Sequence, residues 1–187
     1  LLITQAHALT KLTAMHSQEH IDTQTALTIL RNINNHMPIY RARSHLLPIN
    51  VAQAWDQNTA TTIEYLLQKT LTPQQHKQTQ LPIHLGGLGI LELTHRSAAA
   101  YLGSWQSFAT KSRNNYTDTT FKHHYPQATT HIEAAYQRIH RYLPPNHPTP
   151  TWTQWTTNGH EHSQSTLSKH INNQQYDDLH ANTTVLH

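Results

Sequence analysis

Apolar side chains recur along most of the chain at intervals of three and four residues, the spacing of one face of an α-helix. The pattern is clearest over residues 94–110. It also predicts helices over residues 2–16, from residue 22 to about 33, over 48–71 and over 127–143. No run of residues shows the alternation typical of a β-strand. The sequence therefore predicts an all-α fold, an irregular bundle of about six helices with a buried glycine-rich turn.

Proline residues divide this helical pattern. Pro38 is expected to end the helix that starts at Asp22, because proline lacks a backbone N–H and its ring clashes with the preceding turn. Thr72 followed by Pro73 predicts the N-cap and the first position of a short polar helix. Asp22 and Thr94 are the predicted N-caps of the helices that they begin. We therefore expect one helix boundary before residue 38 and another at residue 72.

Three of the five glycines fall within four residues, at Gly86, Gly87 and Gly89. Glycine permits positive φ angles and close backbone approach, so we expect these residues and Pro82 to form a structural turn. The alternative is a phosphate-binding loop. Such a loop ends in Gly-Lys-Ser/Thr, whereas here Glu92 follows shortly after the last glycine and would repel phosphate.

The patterns divide the chain into three segments. Residues 1–110 are predicted to form a helical region, 111–126 a basic loop, and 127–187 a loosely packed helical extension in which apolar positions are sparse. The chain begins without Met or a leader and ends without a recognisable signal. We therefore expect a fragment that is cut at both ends.

The composition restricts the possible functions. Only 12% of the residues are charged, and 18 of the 187 are histidine. The net charge of +3 is mildly basic and permits attraction to a polyanion without requiring it. The absence of cysteine excludes disulfides and thiolate chemistry, and it favours an intracellular location, cytoplasmic or nuclear. No apolar stretch is long enough to span a membrane, so no membrane partner is expected.

Histidine pairs are the candidate metal ligands of this chain. His16 and His20 are one helical turn apart with Asp22 nearby, and His160 and His162 flank an acidic residue. A zinc site needs three or four converging ligands, and pairs arise by chance in a histidine-rich chain. We therefore expect no metal ion and no cofactor. The sequence also contains no Ser-centred nucleophile motif and no other recognisable catalytic residue.

Two groups of basic side chains indicate nucleic-acid binding. In the first group, Arg31, Arg41 and Arg43 surround Pro38, with Tyr40 among them. The second group lies mostly in the predicted basic loop and comprises Lys111, Arg113, Lys122, His123 and His124. Basic side chains interleaved with aromatic ones suit phosphate neutralisation and base stacking. The alternative is a helical protein-interaction or scaffold module with no nucleic-acid role.

A series of short motifs runs from Asp22 to Trp105. It comprises Asp22-Thr23-Gln24-Thr25-Ala26, Leu30-Arg31, Met37-Pro38-Ile39-Tyr40-Arg41-Ala42-Arg43, Leu47-Pro48, Trp55-Asp56, Gln80-Leu81-Pro82-Ile83, Gly86-Gly87-Leu88-Gly89-Ile90 and Ala98-Ala99-Ala100-Tyr101-Leu102-Gly103-Ser104-Trp105. Together these motifs resemble the thumb-and-connector region that follows the catalytic domain in reverse transcriptases of non-LTR retroelements.

The resemblance implies a non-catalytic helical region of an RNA-directed DNA polymerase that supports template–primer binding and architecture. It implies that Arg31, Arg41 and Arg43 contact the phosphates of an RNA–DNA or DNA duplex. The upstream polymerase domain of the same parent chain is the second implied partner. The catalytic palm would precede residue 1, so no activity is expected from this chain alone. Tyr176-Asp177-Asp178 lacks the spacer of the polymerase Tyr-x-Asp-Asp turn and is expected to be an exposed helix end.

Overall fold

The computed structural model describes the backbone of residues 1–184 and the side chains of residues 1–181. Within this range all regular structure is helical and there is no β-strand, which confirms the predicted all-α class. The nine α-helices of the described residues are α1 (Leu2–Ser17), α2 (Thr23–Ser44), α3 (Ile49–Leu67), α4 (Pro73–Gln80), α5 (Leu93–Lys111), α6 (Asp118–His124), α7 (Pro126–Ile139), α8 (Trp152–Thr157) and α9 (Gln164–Thr184). Short 3-10 helices lie at Ile83–Leu85, His140–Tyr142 and Gly159–His162. The end of the predicted extension 127–187 lies outside the described residues.

Three short helices form in polar segments with little apolar periodicity, and two of them, α6 and α8, add to the six or so helices that the sequence predicts. Helices α4, α6 and α8 begin after Thr72, Thr117 and Thr151, and each threonine hydroxyl accepts a backbone N–H of the first turn. Such an N-cap contributes about 1 kcal/mol to helix stability. The prediction at Thr72 is thus confirmed. Helix α6 lies within the segment 111–126, for which the sequence predicts a basic loop.

Helix α2 continues through Pro38 to Ser44, so the predicted helix boundary before residue 38 was wrong. A proline inside a helix costs about 3 kcal/mol. Tertiary hydrogen bonds in the turn before it offset this cost. The Asn34 Nδ2 donates to the Leu91 carbonyl at 2.6 Å, and the Asn35 Nδ2 donates to the Gly89 carbonyl at 2.8 Å.

The chain forms two compact units, and neither is a continuous segment. Unit 1 contains Leu1–Tyr40, Pro48–Thr94 and the described residues from Gln175 onward. Unit 2 contains Arg41–Leu47 and His95–Gln174. Three of the four divisions fall inside helices α2, α5 and α9, and the fourth lies between α2 and α3. The helical pattern of the sequence runs unbroken through the three divisions inside helices, so it does not mark them.

The core of unit 1 is aliphatic. Helix α1 packs on α3, and α2 and the segment after the glycine turn complete the core. Its buried residues are Leu9, Leu12, Ala26, Leu30, Ile63, Leu66 and Ile90. The helical spacing of these residues in α1, α2 and α3 is the periodicity that the sequence displays.

The core of unit 2 is largely aromatic. Phe121 of α6 stacks on Trp152 of α8, with ring centroids 5.0 Å apart and planes inclined by 26°. Trp155 is also buried, and Leu167 and Ile171 of α9 pack into the same cluster. Four of the sparse apolar residues beyond position 150 are therefore used in this core.

His162 is completely buried in unit 2, and neither of its ring nitrogens has a hydrogen-bond partner among the described residues. Its ring centroid lies 5.0 Å from that of His147. Burial, and secondarily the neighbouring His147, lowers the pKa of His162 to about 4. The unfolded chain has the ordinary pKa of 6.5 and binds this proton more tightly, so stability is lost as the pH falls from about 6.5 towards 4.

We expect His162→Phe to weaken this acid sensitivity, because phenylalanine fills a similar volume and cannot be protonated. Between about pH 7 and pH 5 the free energy of unfolding, measured with urea, should fall more steeply for the wild type than for the variant. His7→Phe, at an exposed position of α1, is the control and should keep the wild-type slope. Equal slopes for wild type and His162→Phe would contradict this assignment.

Candidate functional site

The glycine turn is closed by its own backbone. The Pro82 carbonyl accepts the N–H groups of Leu85 and Gly87, at 2.9 and 3.1 Å. Gly86 and Gly89 have φ angles of +80° and +69°, which favour glycine. A Cβ atom at Gly87 would overlap the Leu81 carbonyl oxygen, so no side chain fits there. Gly86 is exposed and Gly89 is buried, so the turn is buried only in part.

Side chains of α2 hold this turn in place within unit 1. The Arg31 Nε donates to the Leu88 carbonyl at 2.8 Å. The Asn35 side chain pairs with the backbone on both sides of Ile90: its Nδ2 donates to the Gly89 carbonyl, and its Oδ1 accepts the Leu91 N–H at 3.2 Å. These contacts give Arg31 a structural role in the turn.

A buried polar cluster lies behind the turn. The Asn34 side chain is 3% exposed, and its Oδ1 accepts the Trp55 Nε1–H at 2.6 Å and the Thr59 hydroxyl at 3.0 Å. Gln5 of α1 is fully buried, and its Nε2 donates to the Trp55 carbonyl at 3.0 Å. The cluster therefore links α1, α2 and α3 to the segment that follows the turn.

Asp56 of α3 caps the start of α5. Its Oδ1 accepts the Leu93 N–H at 2.6 Å, and its Oδ2 accepts the Thr94 N–H at 3.0 Å and the Thr94 hydroxyl at 2.6 Å. Burial raises the pKa of the Asp56 carboxyl to about 6, against the lowering effect of these hydrogen bonds. The expected cap residue was Thr94 itself, and sequence reasoning missed the role of Asp56 because its partner lies 38 residues away.

The structure brings together residues from several of the motifs that carry the resemblance. Arg31, Trp55, Asp56 and the segment 80–90 all take part in hydrogen bonds of the turn or of the polar cluster beside it. These bonds connect positions up to 57 residues apart in the chain. These residues thus share one hydrogen-bonded region of unit 1.

Neither histidine group assembles a metal site. His16 Nε2 lies 3.0 Å from the Thr23 hydroxyl, and the Asp22 carboxylate accepts the Thr25 N–H at 2.7 Å as the N-cap of α2. His16 and Asp22 both line an open cleft of about 770 Å³ in unit 1. In the described residues no three His, Asp or Glu side chains are arranged to hold an ion. Residues 176–178 lie within α9, where both aspartates are exposed.

The basic charge of the protein is concentrated in unit 2. This unit carries nine Lys and Arg against three Asp and Glu, a formal charge of +6, whereas unit 1 carries four against seven, a charge of −3. The structure describes every residue of unit 2. Seven of its nine basic side chains are exposed, and we call these seven the basic surface: Arg41, Arg43, Lys111, Arg113, Lys122, Arg141 and Lys169.

The three arginine residues that are predicted to contact phosphates do not have the same environment. Arg31 belongs to unit 1 and is half-buried, whereas Arg41 and Arg43 are exposed in unit 2. The Arg43 Nε donates to the Gln164 side chain at 3.2 Å. Two positions along a helix correspond to a rotation of about 200°, so Arg41 and Arg43 leave α2 on nearly opposite sides.

Comparison with protein-family models, curated proteins and solved structures finds no match to this chain. Within the described residues, no helix combines the length and the apolar character needed to cross a membrane.

We expect Asn34→Ala to destabilise the protein by about 2–4 kcal/mol, because it leaves the Trp55 Nε1–H and the Leu91 carbonyl without their partners. Chemical denaturation followed by circular dichroism measures the loss. Asn32→Ala, at an exposed position of the same helix, is the matched control and should change stability by less than about 0.5 kcal/mol. Similar losses in the two variants would contradict the role of the polar cluster.

We expect the stability advantage of the wild type over Asp56→Asn to shrink as the pH rises. With a folded-state pKa of about 6 and an ordinary value of 3.8, the folded chain binds the proton more tightly. Proton binding by Asp56 therefore stabilises the folded state fully below about pH 4, and this stabilisation is lost as the pH passes 6. Between about pH 5 and pH 7.5 the difference in unfolding free energy should fall by about 1 kcal/mol. A difference that grows with pH would show that the hydrogen bonds outweigh burial.

Proposed function

We propose that this chain is a non-catalytic helical region of a retroelement RNA-directed DNA polymerase, and that it supports template–primer binding and the architecture of the parent protein. The observation that carries this proposal is the separation of charge. Unit 2 has a formal charge of +6 and an exposed basic surface, whereas unit 1 has a charge of −3. A polyanion would be attracted to unit 2, where binding releases condensed counterions.

The two units would then have different tasks. Unit 1 contains the glycine turn and the polar cluster, and its structural bonds suit an architectural role beside an upstream polymerase domain. Arg31 contributes to this architectural role through its hydrogen bond to the glycine turn. Contact with the phosphates of an RNA–DNA or DNA duplex therefore falls to Arg41 and Arg43, which are exposed in unit 2 within one of the motifs of the resemblance.

The proposal is tested by the affinity for a labelled RNA–DNA hybrid, measured by fluorescence anisotropy at about 50 and about 200 mM salt. We expect the double variant Arg41→Ala and Arg43→Ala to bind about tenfold more weakly at the lower salt. The slope of log affinity against log salt should decrease in magnitude by about 2, because each arginine neutralises one phosphate in the wild-type protein.

The control removes the same charge from unit 1. Lys11→Ala combined with Lys77→Ala changes two exposed lysines and should leave the affinity within about twofold of the wild type. Binding that ignores salt would contradict the proposal, as would equal reductions in affinity for the two double variants.

A helical protein-interaction or scaffold module is the second candidate, favoured by exposed apolar side chains in unit 1. Ile3, Tyr40 and Ile83 are 87%, 80% and 60% exposed. Apolar side chains at this exposure suit contact with another protein surface. This candidate has no need of the basic surface, so it is supported if the chain fails to bind nucleic acid at either salt concentration.

A further inference from the structure

Unit 2 contains a cavity of about 280 Å³ that the proposed duplex contacts do not use. It is formed by α6, α7 and the segment 149–152 that leads into α8. The lining residues that are relevant to its contents include Phe121, Lys122, Thr129, Ile132, Glu133 and Trp152. Its volume lies near the lower end of the range for small-molecule sites, about 300–1,000 Å³.

Three lining residues of the cavity are buried and apolar or aromatic. Phe121, Ile132 and Trp152 are 4%, 2% and 3% exposed. The rings of Phe121 and Trp152 lie nearly parallel to one another. Each of these rings therefore already has one face against the other, and what remains of the aromatic lining favours contact with a planar, polarizable group.

Polar groups accompany these aromatic residues. The Trp152 Nε1–H is buried and has no hydrogen-bond partner among the described residues. Tryptophan is a donor only, so a bound group with an acceptor atom would satisfy it. The Glu133 carboxylate lies on the same lining and can accept from an amino group. A planar group that carries both an acceptor and an amino group, as several nucleobases do, fits both residues.

Charged side chains of both signs lie at the cavity, where Lys122 is accompanied by the carboxylates of Asp118 and Glu133. Lys122 lines it and belongs to the basic surface. The Asp118 carboxylate, also on the lining, is engaged: it accepts the Thr153 N–H at 3.1 Å and the Thr153 hydroxyl at 2.6 Å. A phosphate beside the cavity would therefore meet Lys122, while Asp118 stabilises the start of α8.

From these observations we infer that the cavity binds one unpaired base of a nucleic-acid strand whose phosphates lie on the basic surface. The inference rests on the proposed function, since it requires that unit 2 bind nucleic acid. The occupant is a base rather than an apolar ligand because an aromatic lining, a buried donor, a carboxylate acceptor and a lysine lie around one small volume.

The test compares three labelled RNA–DNA hybrids by fluorescence anisotropy: a blunt duplex, one with a short single-stranded overhang, and one whose overhang is abasic. The wild-type protein should bind the intact overhang about tenfold more tightly than the abasic one, the effect expected for one stacked base. The blunt duplex tests the proposed function separately, through the salt dependence of its binding.

Adjacent residues of α7 provide the matched variants. Thr129 lines the cavity and its hydroxyl donates only to the Tyr125 carbonyl of the helix start, so Thr129→Phe fills the cavity without breaking a tertiary hydrogen bond. We expect this variant to lose the tenfold preference and to keep its affinity for the blunt duplex. Thr130→Phe, at the exposed neighbouring position, should keep both. Circular dichroism and the melting temperature establish that both variants are folded.

Three results would overturn the inference. Salt-dependent binding of the blunt duplex without any preference for the intact overhang would remove the base site and leave the proposed function standing. A preference that persists in folded Thr129→Phe would place the base elsewhere. No binding to any of the hybrids would remove the proposed function, and this site with it.

Discussion

The Asn34 side chain is almost wholly buried, and it bonds simultaneously to Trp55, to Thr59 and to the Leu91 carbonyl. An amide in this position is stabilising only while every one of its partners is present, because an unpaired polar group in the interior costs about 1–3 kcal/mol. Much of unit 1 depends on this constraint. Helices α2 and α3 and the segment after the glycine turn must all be in place for the amide to be satisfied. The same hydrogen bonds offset the cost of Pro38 within α2.

Two titratable groups, one in each unit, respond to pH in opposite directions. In unit 1, burial of Asp56 makes the folded state the better proton binder, so acid favours folding until the unfolded carboxyl is also protonated. In unit 2, burial of His162 makes the unfolded state the better proton binder, so acid favours unfolding. Both effects come from desolvation, which penalises the charged form whatever its sign.

The distribution of charge and of aromatic residues gives unit 2 the properties that suit nucleic acid. A net charge of +3 over the whole chain is modest, but it is the sum of +6 and −3 in the two units. The aromatic residues are unevenly shared as well, and Phe121, Trp152 and Trp155 all lie in the core of unit 2. The exposed basic side chains and most of the aromatic residues thus belong to the same unit, whereas the structural bonds of the glycine turn belong to the other.

The sequence alone determined the all-α class, the short helix after Thr72 and the Asp22 cap of α2, because each depends on residues within a few positions of one another. It also pointed to the glycine segment as a turn. Only the tertiary structure decided that α2 would continue past Pro38, that Asp56 rather than Thr94 would cap α5, and that Arg31 would bond to the turn. It likewise decided how the charges divide between the units. The physical reason is range: local periodicity and caps act over one helical turn, whereas these contacts join residues as many as 57 positions apart and exist only after folding.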